Sequence, residues 1–396
     1  MEKGNDPDAK IAYESKNYLF IVKSVVIMIP IIYGLAPIHL PSFFYLDLIA
    51  RGRVLPRGRY RNEGVSIIIP CHNEEAVIGN TLRHILKIKG LKREIIVVDD
   101  ASSDRTAEVA SSFNDVKVIK RTHGGRGKAE ALNTAVKEAK YDLICVFDAD
   151  SRPYKNSIQY LVPYLRAKKV AAACGVIKVR NKNFNWLTKL VALEFTIANY
   201  LQCKKAMIES YSPWMPGTIT LIKKEHAKFP SSYVEDAELS AQLINKGFEI
   251  IVDLRAKASE IAPTRLRDYL RQRVRWAKGG WSLLKYVDKR KIFNYLLTFF
   301  ERTQPGLTIV SWIIFAYSIY KAWYLPDFII TPLWILTTFT LMWLYKVASE
   351  ETGERFGKKT YLTYFLFSSF LYLFIWVRSL FPLKGWAKTI RKKDYR

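Results

Sequence analysis

The chain is poor in cysteine and poor in acid. Its four cysteines, Cys71, Cys145, Cys174 and Cys203, are scattered through 396 residues with no CxxC pair. That spacing argues against a disulfide framework or a thiolate zinc site and leaves reduced core cysteines as the expectation. No Ser/His/Asp or Cys/His arrangement for nucleophilic catalysis stands out, and His72 beside Cys71 is isolated. Internal repeats and low-complexity segments are missing as well. The run from Thr122 to Lys128 imitates a phosphate-binding P-loop. However, it has no glycine five residues before Gly127, and Ala129 stands where Ser or Thr is required. It still places Arg126 and Lys128 beside a helix start, which suits an anion.

Asp and Glu number 36 against 62 Lys and Arg, a net charge of +26. In a soluble chain that imbalance suggests nucleic acid. No RNA- or DNA-binding signature or aromatic–basic repeat accompanies it, so nucleic acid is not an expected partner. What the chain does have is long uncharged runs. Ser24 to Leu46 holds 23 residues without a charge; Phe328 to Tyr345 and Thr360 to Val377 each hold 18; Gly306 to Leu325 contains only Lys321. Runs of roughly 18–20 such residues match a bilayer core. They predict transmembrane helices with membrane lipids around them, and the first is too long and lacks the small-residue site of a cleaved signal. Arg51, Arg53, Arg57, Arg59 and Arg61 follow the first run, whereas residues 1–23 balance four acids with four bases. By the positive-inside rule the central domain faces the cytoplasm of a multi-pass protein in the cell membrane. One tension remains. Four crossings put the tail outside, yet Lys384, Lys388, Arg391, Lys392, Lys393 and Arg396 against Asp394 give it +5. The first run, broken by Pro30, Pro37 and Pro41, and the last are the candidates for an interfacial or re-entrant segment.

The middle of the chain alternates β-rich runs with helical patterns, which predicts an α/β domain with a mostly parallel sheet. Strands are expected at Val65–Pro70, Glu94–Val98, Val116–Lys120 and Leu143–Phe147, with helices at Glu75–Lys87 and Lys128–Ala139. Ser103 or Asp104 can cap the helix between the second and third strands. Leu266 to Tyr286 alternates Arg267, Arg271, Arg273, Arg275 and Lys278 with Leu270, Val274, Trp276 and Trp281. That pattern predicts a basic amphipathic helix on a membrane surface. The organisation is therefore 1–61, an N-terminal transmembrane segment with a basic flank; 62–264, a cytoplasmic catalytic domain; 265–300, an amphipathic interfacial region; and 301–396, a C-terminal transmembrane region with a basic tail.

Acids sit just past two predicted strands, at Asp99/Asp100 and Asp148/Asp150, the edge where open α/β sheets bind ligands. Two carboxylates spaced i and i+2 can hold a hard divalent cation together with a diphosphate, although such a pair also occurs by chance. Glu235 and Asp236 open a helix. A carboxylate there can act as general base, while an acidic first turn favoured by the helix dipole is the plainer explanation of the pair alone. Arg273 and Arg275 can each compensate a departing diphosphate. They diverge by about 200° on an ideal helix and need not touch one group. Trp276 offers a flat apolar face to a sugar ring.

Taken in order, Pro70 to Glu75 (PCHNEE), Val98 to Asp104 (VDDASSD), Gly127 to Asn133 (GKAEALN), Asp148 to Asp150 (DAD), Glu235-Asp236 and Gln272 to Trp276 (QRVRW) resemble the processive, membrane-integrated family 2 glycosyltransferases. These are the cellulose, chitin, hyaluronan and poly-N-acetylglucosamine synthases. The resemblance covers residues 62–282. It implies a nucleotide-diphospho-sugar transferase (GT-A, Rossmann-like) fold and a UDP-sugar donor held by Pro70, Asn73, Glu74, Asp99, Asp100, Lys128, Asp148, Arg273 and Arg275. It further implies Mg2+ or Mn2+ on Asp148 and Asp150, Asp236 as the base, and Gln272, Trp276 and, by a looser match over Trp214 to Thr218, Trp214 at the acceptor end. The implied reaction is inverting transfer onto a growing β-linked polysaccharide at the cytoplasmic face, with coupling to export left open. The alternative is a single transfer to a lipid acceptor such as a polyprenyl phosphate or diacylglycerol. Arg126-Gly127 inserted before Lys128 departs from the family pattern, and the family's regulatory extensions do not appear.

Overall fold

The structure, a computed structural model, describes residues 63–122, 127–206, 214–286 and 341–382. The expected segments Ser24–Leu46 and Gly306–Leu325, the part of Phe328–Tyr345 before residue 341, the arginine flank, Arg126 and the basic tail lie outside these residues.

Eight strands form one sheet: β1 Val65–Cys71, β2 Arg93–Asp100, β3 Val116–Arg121, β4 Leu143–Val146, β5 Arg152–Pro153, β6 Val170–Val179, β7 Thr220–Lys223 and β8 Glu249–Glu260. Their order is β3-β2-β1-β4-β7-β6-β8-β5. The helices are α1 Ile78–Leu86, α2 Thr106–Ser111, α3 Lys128–Glu138, α4 Ser157–Leu161, α5 Trp186–Ala206, α6 Glu235–Asn245, α7 Leu266–Ser282 and α8 Lys358–Ser379, with a further helical stretch at 341–352. β1 shows why the centre forms. Val65, Ile67, Ile68 and Ile69 are fully buried, each worth roughly 1.5–3 kcal/mol against about 1–2 kcal/mol for ordering its backbone. Ile67, Ile69 and Val97 point into one core with Ile78 and Leu82 of α1. Ile68, Ile96 and Val98 point into the other with Leu132 of α3 and Leu239 of α6. Period-two alternation on a sheet buried on both faces thus gives three layers.

The sheet is mixed rather than mostly parallel. β3-β2-β1-β4 are parallel and β6 pairs β8 in parallel, but β7 is antiparallel to both β4 and β6, and β5 is antiparallel to β8. The reason is the loop ahead of β7. It is seated on the carboxyl end of β4, where the Asp148 backbone N–H donates to Thr218 Oγ1 at 3.2 Å. A strand that starts where its neighbour ends must run the other way. The alternation legible up to residue 147 does not continue beyond it. α1 also starts three residues later than its pattern, at Ile78 rather than Glu75. At the predicted cap, Asp104 Oδ1 accepts the N–H of Thr106 at 3.0 Å. All four cysteines are buried and unbonded.

One membrane expectation is corrected. Thr360–Val377 lies within α8, and among the described residues no helix is long and apolar enough to cross a membrane. One side of α8 is given over to the protein, while Leu362, Leu366, Phe374 and Val377 are exposed. Ile375 packs with Val191 of α5 and Val274 of α7, and Tyr361 packs with residues of α5 and of 341–352. α7 turns part of its apolar side to protein and leaves Leu266 exposed. Tyr269 and Val274 are buried, and Trp281 Nε1 donates to Ser379 Oγ of α8 at 2.9 Å.

Gly175 is pinched where β6 bulges against β8. Its N–H donates to Ile219 O at 2.9 Å, and a Cβ there would lie 2.5 Å from the carbonyl oxygen of Ala256. Gly175→Val is therefore expected to force the two strands apart and destabilise the domain by about 3 kcal/mol, read as a lower midpoint in urea unfolding of the full chain.

Candidate active site

The carboxyl edge of β1, β2 and β4 forms the floor of a cavity of about 590 Å³, closed from above by the loop at 214–218, the start of α6 and the middle of α7. Lys128, first residue of α3, lies at its centre. Its Nζ donates to Asp148 Oδ1 at 2.6 Å and to Gly217 O at 3.0 Å, and stands 3.5 Å from Glu235 Oε1. Burial works against the ammonium charge. Asp148, Glu235 and Asp236 outweigh it and hold the group above the ordinary lysine range. Asp236 is affected in the opposite direction. Burial and the neighbouring Glu235 carboxylate push its acid from the usual 3.8 up to about 7, despite Lys128 and the N–H of Ala237. An acid near neutrality at a helix start, facing a permanently charged lysine, is suited to take up a proton.

Glycine makes this meeting possible. A Cβ on Gly217 would sit 2.8 Å from Lys128 Nζ and 2.9 Å from Asp236 Oδ2. A Cβ on Gly279 of α7 would sit 2.6 Å from Val234, the residue before α6. α7 therefore closes directly on the turn that carries Asp236. Arg275 of α7 also holds that turn, donating from Nη1 to Tyr233 O at 2.8 Å.

Ten of the residues singled out in the sequence line the cavity: Pro70, Glu74, Asp100, Lys128, Asp148, Trp214, Asp236, Gln272, Arg275 and Trp276. Asp100 also pairs with Arg121 at 2.5 Å. Four do not line it. Asp99 is buried and accepts from Ser102 Oγ. Asn73, at φ 53, accepts the N–H of Ser103 at 2.7 Å and ties the β1–α1 loop to the β2–α2 loop. Asp150 is 2% exposed, beneath the floor, with its carbonyl oxygen accepting from Arg180 at 3.3 Å. Arg273 turns away from the cavity into a two-pronged ion pair with Glu194 of α5, at 2.8 Å on each side. Glu194 was missed in the sequence. Glu194 does leave a signal, as the single acid in the largely apolar stretch 186–206.

No three His, Cys, Asp or Glu side chains among the described residues converge on one point as a metal cluster would. The oxygen-only pair Asp148 and Asp150 suits a hard divalent cation, but only if a ligand's oxygens supply the rest of the shell. Asp148 would have to share its carboxylate with Lys128.

Comparison with known proteins agrees with this geometry. Residues 66–216 match the family model described as Glycosyl transferase family 2, and residues 143–348 match Glycosyl transferase family group 2. The chain is 30% identical over 343 residues to a probable glycosyltransferase, YdaM, of Bacillus subtilis, covering 79% of this chain and 80% of that one. It is 31% identical over 255 residues to the poly-β-1,6-N-acetyl-D-glucosamine synthase of Staphylococcus aureus, and that match spans only 61% of the synthase's length. Among solved structures, the mannosyltransferase PcManGT from Pyrobaculum calidifontis, in complex with GDP-Man and Mn2+, superposes with a TM-score of 0.59 at 20% identity. The match covers 86% of this chain and 97% of that one, a likeness in fold, the GT-A type with a mixed sheet.

Gly217→Ala is the sharpest probe of the centre. The methyl group must displace the Lys128 ammonium or the Asp236 carboxylate, so turnover is expected to fall about 10–100-fold. The melting temperature should stay near that of the parent, because the displaced side chains face a cavity; kcat and thermal melting measured together check this.

Proposed function

This chain belongs to glycosyl transferase family 2, and from that premise we propose that it transfers a sugar from a UDP-sugar to a growing β-linked polysaccharide with inversion at the anomeric carbon. One observation carries the reading: Asp236 and Lys128 meet over Gly217 beside Asp148, inside a cavity whose far wall is Gln272, Arg275 and Trp276.

In this mechanism the acceptor hydroxyl gives its proton to Asp236 as its oxygen forms a bond to the anomeric carbon. The bond from that carbon to the diphosphate oxygen breaks in the same displacement, and the diphosphate leaves with the electron pair. An α-linked donor therefore yields a β bond. Lys128 is already charged and already placed, so it needs no reorganisation to stabilise the developing negative charge, and Arg275 is the further cation lining the cavity. Trp276 presents its ring to the acceptor. A Mg2+ or Mn2+ ion, held by Asp148 together with the donor's phosphate oxygens, would offset the diphosphate charge; the buried Asp150 carboxylate would join it only by turning toward the cavity.

The placement we propose is the cytoplasmic face of the cell membrane. The support for it lies in the uncharged runs and arginine flank of the sequence outside the described residues. The kinship with a polysaccharide synthase favours polymer as product. The test is the purified full chain in lipid with labelled nucleotide sugars. Release of nucleoside diphosphate with a ladder of products on a gel supports the reading. A single lipid-linked product replaces polymer synthesis with single transfer, and no consumption of any nucleotide sugar sinks both.

The pH dependence follows from Asp236. A base must be ionised, so kcat is expected to rise about tenfold per pH unit below its pKa and level off above about 7. Asp236→Asn is expected to lower kcat about 10²–10⁴-fold. Stability should move the other way. An acid whose folded pKa is raised contributes stability below its unfolded value and loses it as pH rises through the folded one. The Asn variant should therefore melt higher than the parent at pH 8, and the gap should close below pH 3.8. Unchanged turnover in Asp236→Asn would remove it as the base.

A further inference from the structure

Arg273 lies in the motif read as serving the diphosphate, yet its guanidinium is 4% exposed and never reaches the cavity. It is held instead by Glu194, which no motif includes and which itself lines the cavity. Glu194 accepts from Arg273 Nε and Nη2 at 2.8 Å each, from the Tyr372 hydroxyl of α8 at 2.8 Å, and from the Tyr269 hydroxyl at 3.4 Å. The Tyr372 hydroxyl also meets that of Tyr364 at 3.3 Å. The guanidinium also touches two further residues that line the cavity. Arg273 Nη1 donates to Gln272 Oε1 at 2.8 Å, and its Cζ lies 4.2 Å from the centre of the Trp276 ring, which also packs edge-on against Phe195 of α5.

A buried ion pair of this kind adds little net stability but costs a great deal when broken on one side. It therefore acts as a rigid fixture more than as a stabiliser. The polar contacts form a chain: Tyr372 of α8 holds Glu194 of α5, Glu194 holds Arg273, and Arg273 holds Gln272 and Trp276, with Phe195 touching the Trp276 ring directly. We propose that Glu194 is a positioning residue for the acceptor end of the cleft, setting Gln272 and Trp276 through Arg273, and that Tyr372 makes the C-terminal helix part of that end. The assignment of this end to the acceptor rests on the function proposed above. The coupling itself is a matter of geometry and can be tested apart from it.

The full chain, labelled with 6-fluorotryptophan and purified in detergent, gives a direct readout, with the Trp276 resonance assigned by Trp276→Phe. Tyr372→Phe removes the hydroxyl's contacts to Glu194 and Tyr364 and leaves the helix packing in place. It is expected to shift and broaden the Trp276 signal while the Trp214 signal stays. Glu194→Gln should move the same signal further, and the double variant should match Glu194→Gln alone, because both changes act along one chain of contacts. With whichever donor and acceptor the enzyme consumes, Tyr372→Phe is expected to raise the acceptor KM about three- to tenfold. The donor KM and kcat should change by less than about twofold. An unmoved Trp276 resonance, additive effects in the double variant, or donor and acceptor KM rising together would each overturn the proposal. Failure to consume any nucleotide sugar counts against the sugar-transfer reading alone, and the fluorine spectra then decide this one.

Discussion

The site depends on one ammonium group. Lys128 Nζ stands among Asp148, Glu235 and Asp236, which arrive from the end of β4 and the start of α6. Three carboxylates brought this close would not all ionise without a cation between them. With Lys128 in place, the cluster keeps charge where a diphosphate must be neutralised, while Asp236 stays near neutrality. The antiparallel course of β7 belongs to the same constraint. The loop ahead of it has to deliver Gly217 to the one place where the lysine and the carboxylate leave no room for a side chain.

From that centre the cleft is assembled by close backbone approach. Gly279 brings α7 onto Val234, and Gly175 lets β6 pass between β8 and Ile219. Each is a point where a methyl group would move a catalytic element rather than merely crowd a core. The wall that carries Gln272 and Trp276 is built differently, from a buried charge pair and three tyrosines that join α5, α7 and α8. The two ends of the cavity thus have separate supports, one electrostatic and set by the sheet edge, the other a packed network set by helices.

Much of the N-terminal half of the domain was legible in the sequence. Val65 to Phe147 repeats apolar run, turn and amphipathic run, and each run has the length and β-branching of a buried strand. The acids at Asp100 and Asp148 could be placed because a parallel strand's carboxyl end is a ligand edge whatever follows it. Past residue 150 the pattern stops carrying direction. β7 is a four-residue strand, and nothing in Thr220 to Lys223 says which way it runs.

The chain's own letters determined the family and put Asp100, Asp148 and Lys128 at the ligand edge, because those depend on residue type at fixed spacing along one strand or one turn. Tertiary structure alone decided which arginine lines the cavity. On a helix, Arg273 and Arg275 differ only by rotation, and it took the position of Glu194, 79 residues away in sequence, to draw one inward and leave the other at the cleft. It also decided that α7 and α8 each bury only part of their apolar surface against protein. Amphipathicity records that a face is apolar, not what covers it.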